Sequence, residues 1–386
     1  MANGDFRSGA ESGERAVTWT IPLQIRVAVG EPSATSKAPA VEMAASAEAR
    51  ALPGPPLEAQ GSGAIGSAAL EQAGFNLDTA VFLAEASSAA YSSPDKIDEW
   101  ARAARFEKSK SFDSGNVQGF WCAGEKTALL VFRGTSNPGQ WLRDARFLPA
   151  AFEWGHVHIG FRDGVAEVET SLATFDAVAR SVPHVWVAGH SLGGALAVIA
   201  AARLKIKTGV SALLHTYGQP AVGLNDFAER YSAELPQRLW RFVNQSDIVT
   251  RVPPGPLYRH VGTVKRIVKP GVLESMQMET IAAELSGDQK AAAETVIAGG
   301  AAREAAAAVR DAGISAPLLT DMDPRPLNQS EFEQLQIALG AGVALGAEAP
   351  ALEGLFPWFS DHAIGEYIRL LSDIREQSQI LGTLRR

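Results

Sequence analysis

Residues 185–198 read VWVAGHSLGGALAV, and the placement of Ser191 within them decides the fold. Residues 184–188 are apolar, β-branched and aromatic, as a buried strand requires, and residues 194–204 carry the Ala and Leu of a helix packed on a sheet. Ser191 therefore sits at a strand-to-helix junction. Such a serine occupies a tight, strained turn, in which side chains two positions either side would meet neighbouring backbone. Gly189 and Gly193 remove both side chains. The pattern G-x-S-x-G alone recurs by chance, but a strand before it, a helix after it and a further glycine at Gly194 make it specific.

Outward from this junction the elements alternate. Strands are expected at 157–161, 184–188, 211–217 and 239–243, with helices at 163–180, 193–206 and 225–234 between them. Upstream, Asn76 or Asp78 caps a helix through residue 90, Asp95 begins another through residue 105, and residues 117–122 and 127–132 flank a hairpin turn at Gly124. Alternation of this kind predicts an α/β fold with a mostly parallel sheet, helices on both faces and a site at the carboxyl ends of the strands.

Two regions depart from that pattern. Residues 17–29 alternate apolar with mostly polar positions, which predicts a strand, and Pro22 confines it to a sheet edge; residues 30–70 have the Ala, Pro, Gly and Ser content of a linker. Residues 1–70 are thus expected to form a flexible extension, with the catalytic domain at 71–386. Within that domain, residues 271–354 are too long for a structureless loop, so a helical insertion is expected, with one helix opened by the capping box Ser330-x-x-Glu333.

Composition narrows the function. The chain of 386 residues has 46% hydrophobic and 20% charged residues and a net charge of -8, which offers no basic field for nucleic acid. Cys122 is the single cysteine, so no intramolecular disulfide and no cysteine-rich metal site can form within the chain. Residues 1–14 are polar, without a basic start or an apolar core, and do not read as a secretory signal; a cytoplasmic location is the expectation, with leaderless secretion the alternative. No apolar run reaches membrane-spanning length.

A serine hydroxyl needs a base to take its proton and an acid to orient that base, and in the α/β hydrolases, which this strand–serine–helix elbow resembles, they follow in the order serine, acid, histidine. Asp247 lies just after the apolar run 239–243, whereas its competitor Asp226 starts a helix, where Asp is a common cap. His215 falls inside an apolar strand and reads as a core residue with its nitrogens satisfied. His260 follows Asp247 through a short proline-rich loop and opens the next strand, residues 261–268. His362 is better placed, ahead of a helix whose Ile364, Tyr367, Ile368 and Leu371 share one face. For an oxyanion, Leu192 offers its backbone N–H at a helix start, and Thr135, after the run 129–133, offers an N–H and a hydroxyl.

The blocks VFRGT at 131–135, VHIGF at 157–161, VAGHSLGGALA at 187–197, VNQSDIVTRVPP at 243–254 and SDHAIGEYI at 360–368 resemble those of the class 3, fungal-type lipases. The resemblance covers about residues 75–270 and 355–372. It implies an α/β-hydrolase fold, a triad of Ser191, Asp247 and His362, and an oxyanion hole of Thr135 and Leu192. It also implies a lid at 136–148, SNPGQWLRDARFL, centred on Trp141 and Leu142, with Trp141, Ala145 and Leu148 on one face opposite Gln140, Arg143 and Asp144. The N-terminal extension, the insertion after Lys269 and the lack of disulfides depart from the family. The expected function is hydrolysis of lipid-like carboxylic esters such as triacylglycerols, at a lipid–water interface, through an acyl-enzyme and with no metal or organic cofactor. Rival readings are a phospholipase of the A1 type, a lidless esterase for soluble or aromatic esters, an acyltransferase and a non-catalytic lipid-binding protein.

Overall fold

The computed structural model describes residues 66–245, 247–268, 317–321, 323–344 and 361–384. The expected strand at 17–29, most of the linker and residues 271–316 of the expected helical insertion lie outside the described residues.

Alternate residues of two adjacent strands feed two separate cores. Leu130, Phe132, Val185 and Val187 join one apolar cluster, while Leu129, Val131, Trp186 and Ala188 join another on the opposite face. A sheet buried on both faces must be covered by helices on both, which is why its strands are apolar throughout rather than alternating. The strands are β1 (Lys108–Asp113), β2 (Gln118–Ala123), β3 (Thr127–Phe132), β4 (Pro149–Phe152), β5 (Gly155–His158), β6 (His184–His190), β7 (Leu213–Tyr217), β8 (Leu239–Asn244), β9 (Thr263–Val268) and β10 (Leu318–Thr320). Eight form one sheet in the order β1-β2-β3-β6-β7-β8-β9-β10, and β4 pairs with β5 as a separate ribbon. From β3 to β9 every pairing is parallel, so the carboxyl ends of β3, β6, β7 and β8 share one edge.

The helices are α1 (Leu77–Ala89), α2 (Pro94–Ala103), α3 (Pro138–Asp144), α4 (Ile159–Glu167), α5 (Glu169–Ala179), α6 (Leu192–Thr208), α7 (Asn225–Glu234), α8 (Gln329–Ala344) and α9 (Ile364–Leu384). Residues of α4 to α7 enter the first cluster, and those of α1, α2 and α9 the second. Asn76 caps α1 by accepting the Thr79 N–H at 2.7 Å. No described helix is long and apolar enough to cross a membrane.

Several expectations are corrected. Strand 157–161 ends at His158, and the helix expected at 163–180 begins at Ile159 and divides at Val168. Strand β1 was not expected, because its sequence KSKSFD is polar. That polarity fits its place at the sheet edge, where lysines discourage pairing with another chain. The linker also stops short of residue 70: Leu70 is fully buried, and its carbonyl accepts the Trp186 indole N–H at 2.8 Å.

The insertion contributes a strand as well as a helix. Strand β10 pairs antiparallel with β9, and the box that opens α8 is Asn328-x-x-Glu331, not Ser330-x-x-Glu333. Asn328 Oδ1 accepts the Glu331 N–H, while the Glu331 carboxylate accepts the Asn328 N–H, both at 2.9 Å. Beside it, Asp323 supplies the counter-charge to the fully buried guanidinium of Arg241 on β8. Backbone bonds from Leu327 N–H to the Arg251 carbonyl and from Gly255 N–H to the Leu327 carbonyl tie this segment to the loop after β8.

Between α5 and α6, the buried Arg203 is held by Glu169 and Asp176 at 2.6 and 2.8 Å. The bonds from Arg203 hold the Glu169 carboxyl down at about 2, against an ordinary 4.5. A carboxylate whose folded pKa is depressed stabilises the fold above the unfolded value, and loses that contribution as pH falls toward the folded one. Glu169→Gln is therefore expected to lower the melting temperature near pH 7, the gap to the unsubstituted protein closing between about 4.5 and about 2 in thermal melts across pH. Glu169 is partly exposed, so solvent screening keeps the gap small.

Candidate active site

The turn after β6 carries Ser191 at φ 59, ψ -130, a backbone region that a side chain seldom adopts. The flanking glycines explain how it is held. A Cβ on Gly189 would stand within 3.0 Å of the Gly193 carbonyl, and one on Gly193 within 3.0 Å of the Phe132 carbonyl at the end of β3. The Ser191 N–H donates to the Tyr217 carbonyl at 2.8 Å, which fastens the elbow to the end of β7.

The next residue, Gly218, has φ +61, and a Cβ there would stand within 3.0 Å of Asp247 Oδ2 and of His362 Nδ1. Glycine thus lets these two side chains lie directly on the backbone beside the elbow. Asp247 and His362 meet although 115 residues apart in sequence: His362 Nδ1 lies 3.0 and 2.9 Å from the two carboxylate oxygens. A carboxylate only accepts, so Nδ1 carries the hydrogen, and in the neutral ring the lone pair stands on Nε2. The Asp247 carboxylate also accepts the Val249 N–H at 2.9 Å and the Tyr367 hydroxyl at 2.8 Å. Tyr367 in turn accepts the Asn244 N–H at 2.9 Å, and burial, followed by the charge of Asp247, pushes its hydroxyl pKa well up. Ser191 Oγ and His362 Nε2 are both buried with no hydrogen-bond partner among the described residues. A hydroxyl and an imidazole nitrogen left unpartnered on either side of the Tyr217–Gly218 backbone are the groups such chemistry uses, one to attack a carbonyl and the other to take its proton.

The loop after β3 closes the site. Gly134 abuts the elbow, since a Cβ there would stand within 3.0 Å of Ser191 Cβ and the His190 carbonyl, and Thr135 follows it. Thr135 Oγ1 accepts the Asn137 N–H at 3.2 Å, which leaves the hydroxyl proton to donate. Leu192 is the first residue of α6, where N–H groups have no partner within the helix.

The other candidates fall elsewhere. His260 Nε2 donates to the Thr250 carbonyl at 2.8 Å, and burial beside Arg241 holds its pKa at about 3. Asp226 pairs with His156 at 2.6 Å. His215 is in the core as expected, but neither ring nitrogen is satisfied: it packs among Trp186, Trp240 and Phe242, and burial lowers its pKa to about 3.

The segment expected as a lid contains α3, capped by the Asn137 side chain. Its buried face differs from the expected one. Leu142 is the fully buried residue, packed with Ile248, Val249, Val252 and Phe332, whereas Leu148 is 59% exposed and Ala145 has left the helix. Trp141 packs partly on the same cluster and lies near Phe147 and Phe161. Helix α8 holds α3 in place: the Gln336 amide donates to the carbonyls of Leu142, Arg143 and Ala145 at 3.3, 3.0 and 3.5 Å. Tyr91, His190, Tyr367 and Gln336 are contacts that sequence reasoning missed. Only Tyr367 had a signal, as a core-facing position.

Residues 129–256 match the family model of class 3 lipases. This segment belongs to the class 3 lipase family. It includes Thr135, Ser191, Leu192 and Asp247, while His362 lies beyond it. Over 150 residues the chain is 39% identical to a lipase of Rhizomucor miehei, covering 36% of this chain and 41% of that one. Over 142 residues it is 33% identical to secreted mono- and diacylglycerol lipase 1 of Fusarium solani, covering 35% and 42%. The chain thus spans about two fifths of the length of these relatives. A solved structure of the Rhizomucor miehei triacylglyceride lipase aligns with 48% of this chain and 77% of its own at a TM-score of 0.42 and 28% identity.

Because Tyr367 donates to a buried carboxylate and accepts a buried N–H, Tyr367→Phe should cost about 2 to 3 kcal/mol of folding stability, read from urea denaturation. An unchanged midpoint and slope would contradict that network.

Proposed function

We propose that this chain is a serine carboxylic-ester hydrolase that acts on lipid-like esters, triacylglycerols among them, through an acyl-enzyme. The observation that carries the reading is a strained, buried Ser191 tied to the Tyr217 carbonyl, beside a Gly218 against which His362 Nδ1 pairs with Asp247, with Ser191 Oγ and His362 Nε2 both without a hydrogen-bond partner among the described residues. In this mechanism His362 Nε2 takes the Ser191 proton as Oγ attacks the ester carbonyl, and Asp247 orients the ring and stabilises the imidazolium. The Leu192 N–H and the Thr135 N–H and hydroxyl receive the charge that develops on the carbonyl oxygen. Collapse expels the alcohol, which takes the proton from His362, and water then repeats the sequence on the acyl-enzyme.

A lipid-like substrate is supported by the class 3 lipase segment and by the amphipathic helix α3, with Trp141 and Leu142 on its apolar side, after the loop that carries Thr135. Trp141, only partly buried, gives that helix a surface for an oil interface.

Ser191→Ala and His362→Ala should each lower kcat by roughly 10⁴-fold or more on p-nitrophenyl and glycerol esters. His260→Ala should keep its turnover and lose stability instead. An active His362→Ala beside a dead but folded His260→Ala would overturn the assignment.

Trp141→Ser is expected to depress hydrolysis of emulsified long-chain esters more than that of dissolved short-chain ones. Equal losses across an acyl-length series would make α3 a structural helix only.

A further inference from the structure

His190, the residue before Ser191, turns its ring into the protein rather than toward solvent. Its Nε2 lies 2.6 Å from the backbone carbonyl of His362, and a carbonyl only accepts, so Nε2 carries the hydrogen. Nδ1 then offers a lone pair, and the Tyr91 hydroxyl, 2.8 Å away, donates to it. The same hydroxyl lies against Gly134, where a Cβ would stand within 3.0 Å of it, and the Arg133 guanidinium covers the Tyr91 ring at 5.3 Å. A line of contacts therefore runs from the loop after β3, packed on Tyr91, through two hydrogen bonds, Tyr91 to His190 and His190 to the His362 carbonyl, to the loop that carries His362.

We propose that Tyr91 and His190 are positioning residues that hold the His362 backbone in register with the Gly134–Thr135 loop and with Ser191. The inference rests on the triad reading above. Asp247 grips the His362 ring at one nitrogen only, which leaves the ring free to swing with its backbone. The bond from His190 to the His362 carbonyl supplies the second anchor, and two anchors fix the direction of Nε2. A side chain belonging to the elbow itself supplies that anchor, so nucleophile and base move together. Tyr91 extends the tie to the oxyanion loop, so all three parts of the site share one frame.

The arrangement also sets the charge beside the base. The His190 and His362 rings lie with centroids 4.6 Å apart. Burial, followed by the neighbouring His362, holds His190 well below the ordinary imidazole range. An uncharged His190 does not oppose the imidazolium that forms on His362 during reaction. The groups facing the pair are Tyr91 after α1, Arg133 after β3, Asp247 after β8 and Tyr367 on α9, of which Arg133 and Asp247 carry charge.

Two substitutions separate positioning from packing. In His190→Asn the side-chain oxygen accepts near the place of Nδ1 but the amide falls short of the His362 carbonyl, whereas in His190→Gln the longer amide reaches it. Active sites are counted by p-nitrophenol release from a p-nitrophenyl alkylphosphonate, taken to completion, and kcat is expressed per titrated site. His190→Asn should lose on the order of 10²-fold in kcat per site with KM little changed, as expected for a base displaced by about 1 Å. His190→Gln should stay within about tenfold of the unsubstituted chain. A purely structural role would reduce the number of titratable sites and leave kcat per site unchanged. Wild-type kcat per site in His190→Asn, or a Gln variant no better than Asn, overturns the proposal. Should the Asn variant fail to fold, Tyr91→Phe reads the same line from its other end: a lower kcat per site supports it, and an unchanged one overturns it. An unsubstituted chain that releases no p-nitrophenol from the phosphonate overturns the hydrolase reading and the inference with it, whereas normal titration with unchanged variants overturns the inference alone.

Discussion

The backbone at Ser191 is held at positive φ by the collision-free approach of three strand ends, and the site is arranged around that constraint. A non-glycine residue in this conformation costs about 1 to 3 kcal/mol, so the surroundings must over-determine it. They do so sterically on one side, where Gly193 lies on the Phe132 carbonyl, and by a hydrogen bond on the other, from Ser191 N–H to the Tyr217 carbonyl. The turn cannot relax without parting β6 from both β3 and β7. Because those strands are parallel and buried on both faces, parting them would expose both cores.

With the elbow fixed, Asp247 and His362 need only reach the same edge of the sheet to pair beside it. Asp247 does so directly, from the turn after β8, while His362 arrives after the long insertion, on the approach to α9. The insertion is more than a spacer. Its described parts extend the sheet through β10, neutralise Arg241 with Asp323, pair with the loop at 251–255 and grip α3 through Gln336. The loop that carries Asp247 and helix α3 are therefore braced by one segment. A buried guanidinium would be costly without its partner, so this brace is bound into the stability of the central sheet.

Much of this was legible in the sequence because local chemistry and position coincided. The glycines around Ser191, the apolar strands and the Asn76 cap each announce themselves, since each meets a local backbone demand. Asp247 and His362 were singled out from the order of strands and helices, and the structure brings these two side chains together. What was not legible arises from contacts between distant segments. Nothing near Tyr91 signals that its hydroxyl meets His190, and Gln336 reaches α3 across 193 residues. The buried face of α3 was misjudged for the same reason. With only seven helical residues, its apolar side is set by α8 and by the turn after Asp247, not by its own periodicity. Strand β1 escaped notice because an edge strand needs polar residues, which look like loop.

The central claim is that Ser191 is a nucleophile activated by His362 and Asp247. Mass spectrometry of the purified chain after reaction with an alkyl fluorophosphonate tests it most directly. One phosphonyl group on the peptide that carries Ser191, with ester hydrolysis lost in proportion to its addition, is the predicted result. Hydrolysis that persists with Ser191 fully modified, or a phosphonyl group that inactivates from another residue, would contradict the account.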